Sequence, residues 1–205
     1  MSMNTLEKVD IKSSNILLGA LFLGIGFVML SLFARGWWAL FVGGIAAWAI
    51  IFKKDSLSAF HFPKHLWVIL LGFFAYAILG AVVGFLALKI GLSWTSNPAA
   101  GHLGSIILKI PFMLMGEELL GIGVLETARN KGLSLTASTF LSALIFGLIH
   151  SFVYWDGSLF STLLHVLLLQ GVARLIFNYV YLKTDRSIWG SWISHVLVDL
   201  VGLAI

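Results

Sequence analysis

The chain has 205 residues, of which 60% are hydrophobic and 11% charged. A soluble domain carries about 25% charged residues, so there is too little polar surface here to clothe a water-soluble globule, and the bilayer is the fitting solvent. The net charge of +4 gives no argument for nucleic acid, because lysine and arginine in a membrane protein gather in cytoplasmic loops. With no cysteine in the sequence, disulfides, thiol nucleophiles and thiolate metal sites are excluded.

Seven apolar segments follow a short N-terminal tail, residues 1–14. The first, Asn15–Phe33, reaches the roughly 20 residues needed to cross a bilayer. Ala34-Arg35-Gly36 and a second apolar run, Trp37–Phe52, follow it, so it reads as a retained helix and not a cleaved leader. The third, Leu66–Ile90, contains Gly80-Ala81-Val82-Val83-Gly84, a small-xxx-small spacing that predicts close helix contact. The fourth, Ser105–Leu125, carries Glu117-Glu118. The fifth, Leu135–Tyr154, carries Phe146-Gly147-Leu148-Ile149-His150. The sixth, Leu159–Leu182, holds His165 and a ridge spaced by fours, Gln170, Arg174 and Asn178, which suits packing between helices. The seventh, Ile188–Ile205, carries His195-Val196-Leu197-Val198-Asp199.

The predicted fold is therefore an all-α, multi-spanning transmembrane bundle of about seven helices in the cell membrane. Residues 15–104 form its N-terminal helices and residues 105–205 its chemically equipped core. If the seven alternate, Lys8, Lys12, Lys53, Lys54, Lys64, Arg129, Lys131, Lys183 and Arg186 share one side, against Arg35, Lys89 and Lys109 on the other. That bias places the N-terminus in the cytoplasm.

An ionisable side chain in hydrocarbon costs a few kcal/mol or more, so each one in a span is a functional candidate. Blander roles exist for each. The acids could neutralise Arg174 or Lys109, His150 could bridge two helices, and His195 and Asp199, one turn apart, could satisfy each other. Taken together, Glu117, His150, His195 and Asp199 supply the groups that water-driven amide hydrolysis needs: a carboxylate to carry a proton, and imidazoles to orient water or meet an oxyanion. Ser191, His195 and Asp199 hold the inventory of a serine triad, but side chains stacked along one helix ridge do not put the base between nucleophile and acid.

These residues resemble the CAAX-protease and bacteriocin-processing (Abi) family of intramembrane endopeptidases. That family is marked by a glutamate pair followed by Arg, then Phe-x-x-x-His, then His-x-x-x-Asn or Asp. Here the motifs read Glu117-Glu118, Phe146 to His150 and His195 to Asp199, in order on successive apolar segments. The resemblance implies that Glu117 activates water, assisted by His150. It implies that His195 and Asp199 hold the water or the oxyanion, and that Glu118 orients the site. The mechanism requires no cofactor, although Glu117, His150 and His195 are also donor types that bind zinc. The expected partners are a peptide or membrane-protein substrate and the lipid bilayer, with cleavage near the cytoplasmic face. The expected roles are peptide processing or self-immunity. The alternative is a non-catalytic membrane scaffold or immunity protein that binds a partner membrane protein.

The sequence departs from the family pattern at one place. The motif arginine is replaced by Ile122, and the stretch reads Glu-Glu-Leu-Leu-Gly-Ile-Gly where Glu-Glu-Leu-Leu-Phe-Arg-Gly is common. Arg174 is the expected source of the missing charge; Arg129, about 16 Å along the helix from Glu118, is too far. Depth poses a second problem. Simple counting puts Glu117 mid-membrane, His150 toward the outer side and His195 in the cytoplasmic half, so a single site requires tilted or broken helices, or a longer fifth segment that begins outside lipid.

Overall fold

The computed structural model describes residues 5–203. The chain folds into α1 (Ser13–Leu32), α2 (Ala39–Phe52), α3 (Trp67–Lys89), the single turn α4 (Leu103–Ile106), α5 (Ile110–Asn130), α6 (Leu135–Ile149), α7 (Leu159–Val166), α8 (Val172–Lys183) and α9 (Ile188–Gly202). This is a helical membrane bundle. The long apolar stretches Ser13–Leu32, Trp67–Lys89, Leu135–Phe152 and Leu159–Lys183 can each cross a bilayer.

The seven apolar segments correspond to α1, α2, α3, α5, α6, the α7–α8 run and α9, with the end of the last, residues 204–205, outside the described residues. They are not seven equal spans. α2 and α9 have 14 and 15 residues, about 21 and 22 Å at 1.5 Å per residue. α5 is long but carries Glu117, Glu118, Glu126 and Arg129. It lies inside the bundle, packed on α2, α6, α8 and α9. α1 and α3 are apolar on every side, as helices bathed in lipid are, and leave side chains such as Leu17, Leu21, Ile78 and Leu88 exposed.

The fourth segment is displaced by five residues from its expected place. α5 starts at Ile110 because Pro111, lacking an N–H and fixed at helical φ, suits the first turn. It continues to Asn130 because its last polar residues find partners, and Gly132, at φ +93°, then ends it. Glu117 thus lies two turns from the start of α5, and the depth discrepancy disappears. At the other end of the gap before α6, Ser134 accepts a hydrogen bond from the Ala137 N–H at 3.1 Å.

The helix ends near the N-terminus are locked together. Glu126, fully buried, accepts from Tyr181 at 2.8 Å and from Arg186 at 2.9 Å. Arg186 also pairs with Glu7 at 2.8 Å, and Glu7 with Arg129 at 3.3 Å. Asn130 donates to the carbonyl of Val9 at 2.7 Å, and Lys131 donates to that of Ile11. Residues 5–12 are therefore a docked strap and not a free tail; residues 1–4 lie outside the described residues.

Close glycine contacts lie on other helices than the spacing suggests. At Gly80 and Gly84 an added Cβ would meet nothing within 4 Å, so the small-xxx-small stretch of α3 makes no close helix contact among the described residues. A close approach occurs at Gly116, where a Cβ would stand 2.7 Å from the backbone of Leu40 and Phe41 on α2. Backbone cannot yield as a side-chain tip does. Gly116→Ala is expected to cost about 1–3 kcal/mol through overpacking, read as a lower thermal midpoint of the protein in nanodiscs; an unchanged midpoint would contradict this packing.

Candidate active site

Glu118 and Arg174 anchor the site. Both side chains are fully buried, and the guanidinium meets the carboxylate in a bidentate pair, with both nitrogen–oxygen distances 3.0 Å. This is the strong, geometrically specific form of the interaction. The guanidinium carbon also stands 5.5 Å from the ring centroids of Phe146 and of Phe177, a cation–π arrangement on two sides.

Gly121 makes room for this pair. A Cβ there would stand 2.6 Å from both Cδ and Nη1 of Arg174. Its carbonyl accepts from Ser142 at 2.7 Å, and the same hydroxyl accepts from Asn178 at 3.2 Å. The departure at Ile122 and the glycine beside it thus belong together. Ile122 removes the arginine on α5, and Gly121, where phenylalanine is common, opens the space through which α8 delivers another.

Glu118 also orients His195. The imidazole Nδ1 is 2.9 Å from Glu118 Oε1. A carboxylate already paired with arginine only accepts, so Nδ1 carries the proton and the tautomer is fixed. Nε2 is left toward Glu117 Oε2 at 3.9 Å and Asp199 Oδ1 at 3.8 Å. The ring stacks on Phe177, with centroids 4.3 Å apart. His150 is fixed by similar logic: its Nδ1 donates to the Phe146 carbonyl at 2.7 Å, leaving Nε2 available. Phe146 therefore has two tasks in the Phe-x-x-x-His spacing. Its carbonyl sets the histidine tautomer and its ring carries Arg174.

Glu117, His150, His195 and Asp199 line one cavity of about 350 Å³. Four groups from α5, α9 and the turn after α6 are thus brought to a single polar chamber. Glu118 and Arg174 lie behind it. Ser191 is not part of it: its hydroxyl bonds to the Ile188 carbonyl at 3.1 Å, which removes the serine-triad arrangement. Two larger grooves, of about 700 and 590 Å³, are lined almost wholly by apolar side chains and contain neither Glu117 nor these histidines. Among the described residues no group of three or more His, Cys, Asp or Glu side chains is placed to hold a metal ion.

Sequence reasoning missed the aromatic part of the chamber. Tyr76, Trp94 and Tyr154 line it together with His165 and Gln170. Trp94 stacks flat on His165 at 4.7 Å, and Tyr154 meets the same ring edge-on at 4.8 Å. Gln170 leaves the ridge that its spacing from Arg174 and Asn178 suggested. A π turn, Leu167–Gly171, interrupts the run between α7 and α8, and such turns are frequent at functional sites. The start of α7 is fixed by Asp156, which accepts from Ser161 at 2.5 Å and from the Ser158 N–H and the Thr162 hydroxyl, both at 3.0 Å. These hydrogen bonds hold its carboxyl below the ordinary range.

Residues 99–201, just over half the chain, match the family model described as Type II CAAX prenyl endopeptidase Rce1-like. No curated protein and no solved structure matches the chain.

Proposed function

Since the chain belongs to the Rce1-like family of type II CAAX prenyl endopeptidases, a family of proteases, we propose that its buried chamber hydrolyses a peptide bond with water activated by Glu117. The observation that carries this reading is the division of labour between two adjacent glutamates. Glu118 is fully buried and committed to Arg174 and His195, while Glu117 reaches the chamber.

The 3.9 Å between Glu117 Oε2 and His195 Nε2 is too long for a direct hydrogen bond and suits a water that touches both. As the water oxygen bonds to the scissile carbonyl carbon, its proton passes to Glu117. His150, with its Nδ1 proton committed to Phe146, offers Nε2 to orient the same water. Nε2 of His195, protonated from solvent before the substrate binds and unchanged over the cycle, donates to the developing oxyanion, with Asp199 beside it. The carbon–nitrogen bond then breaks as Glu117 returns the proton to the leaving amine. The substrate is a small peptide or a membrane-associated chain, and the setting is peptide processing or self-immunity at the cell membrane.

Loss of the motif arginine at Ile122 is the sequence feature that favours the non-catalytic alternative. Because Arg174 supplies a guanidinium to Glu118 from another helix, that departure no longer weighs against catalysis. Incubating the protein in nanodiscs with a peptide pool in H₂¹⁸O should give fragments with ¹⁸O at the new C-terminus. His150→Ala should slow their formation by about 10²–10⁴-fold. Absence of hydrolysis, or equal hydrolysis by that variant, would sink the reading.

A further inference from the structure

The chamber lies at one end of the bundle, and the charges lie at the other. Its rim is the segment 94–97, which follows α3, and its deeper walls come from the second turn of α5, the turn after α6 and the last turns of α9. All of these stand at the end of the bundle away from the N-terminus. The loops at that end carry only Arg35, Lys89 and Lys109. The nine cations Lys8, Lys12, Lys53, Lys54, Lys64, Arg129, Lys131, Lys183 and Arg186 all belong to the opposite end, where Arg129, Lys131 and Arg186 hold the docked strap.

That cationic end is also shut. One turn below Glu118, Ile122, Leu125 and Tyr181 are fully buried in a single apolar cluster. Beneath them the Glu126–Arg186–Glu7 pairs close the helix ends. The residue that replaced the motif arginine is thus part of the apolar floor of the site. Ile122, Leu125 and Tyr181 stand between those pairs and Glu118, and the chamber is lined by none of the nine cations. At the far end, by contrast, Thr95 and Ser96 on the rim are exposed.

Positive loops stay in the cytoplasm. We infer that the chamber opens on the non-cytoplasmic side of the membrane, so that its substrates are peptide segments already exported or displayed on that side. This rests on the hydrolase reading for the word substrate, but not for the orientation. It also reverses the expectation of cleavage near the cytoplasmic face. The rim offers hydrogen-bonding groups for an entering peptide: Trp94 Nε1 and His165 Nδ1 are both buried with no hydrogen-bond partner among the described residues, and their rings stack on each other at the chamber wall.

The absence of cysteine makes orientation directly measurable. Ser96→Cys, at the rim, and Ser14→Cys, at the start of α1, are exposed positions at the two ends. A membrane-impermeant maleimide applied to intact cells should label the Ser96→Cys protein, and the Ser14→Cys protein only after lysis. The reverse pattern, or labelling of both in intact cells, would overturn the inference. Right-side-out vesicles given an impermeant peptide pool should then cleave it, whereas cleavage confined to inside-out vesicles would contradict the outward mouth. If labelling places the rim outside and neither vesicle type hydrolyses peptide, the orientation stands and the hydrolase reading fails.

Discussion

Arg174→Met should destabilise the protein by about 3–5 kcal/mol, the usual cost of removing one partner of a buried ion pair. Glu118 would keep its place beneath the chamber with no guanidinium, and both side chains are fully buried, so water cannot take over. The two rings that flank the cation, Phe146 and Phe177, offer a carboxylate nothing in return. His195 would be left as the remaining partner of Glu118 at 2.9 Å, and its ring position would loosen. Activity should fall together with stability. Thermal unfolding in nanodiscs tests this, with Glu118→Gln/Arg174→Met as the control. The double variant removes both charges and should be more stable than Arg174→Met alone. Wild-type stability and activity in Arg174→Met would show that the arginine on α8 does not replace the one absent at Ile122.

How far the sequence carried depended on the kind of interaction. The helices on the lipid side were legible from their apolar runs, since α1 and α3 answer only to the solvent around them. The pairing of Arg174 with Glu118 was also legible in principle, because a lone arginine in a span demands an anion. The position of α5 was not. Ile106, Ile107 and Leu108 look like membrane residues but precede the helix, while Glu126 and Arg129 look like a loop but belong to it. What holds those two in the helix are Arg186, Tyr181 and Glu7, all far away in sequence.

Local spacing misled in two more places. Gly80 and Gly84 have the pattern of a helix contact but face open space, whereas Gly116 and Gly121 make the close approaches with no such pattern. Gln170 shares a spacing of four with Arg174 and Asn178, and the π turn breaks that register. The aromatic wall of Tyr76, Trp94 and Tyr154 had no motif at all. Those residues come from three separate stretches, and only the fold brings them to the same chamber.

Glu117→Gln isolates the chemistry from the architecture. The substitution keeps the size and shape of the side chain but removes the group that takes the proton from water, so hydrolysis should drop by at least about 10²–10⁴-fold. Stability should change little, because Glu117 approaches His195 only at 3.9 Å, too far for a direct hydrogen bond, and takes no part in the Glu118–Arg174 pair. Glu118→Gln makes the useful contrast, since it should lose stability and activity together.

The most direct measurement is therefore the initial rate of peptide cleavage by wild type and by Glu117→Gln in nanodiscs, with thermal midpoints recorded on the same samples. The account predicts cleavage by wild type, its loss in Glu117→Gln and matching midpoints. Cleavage at the wild-type rate by well-folded Glu117→Gln would contradict it.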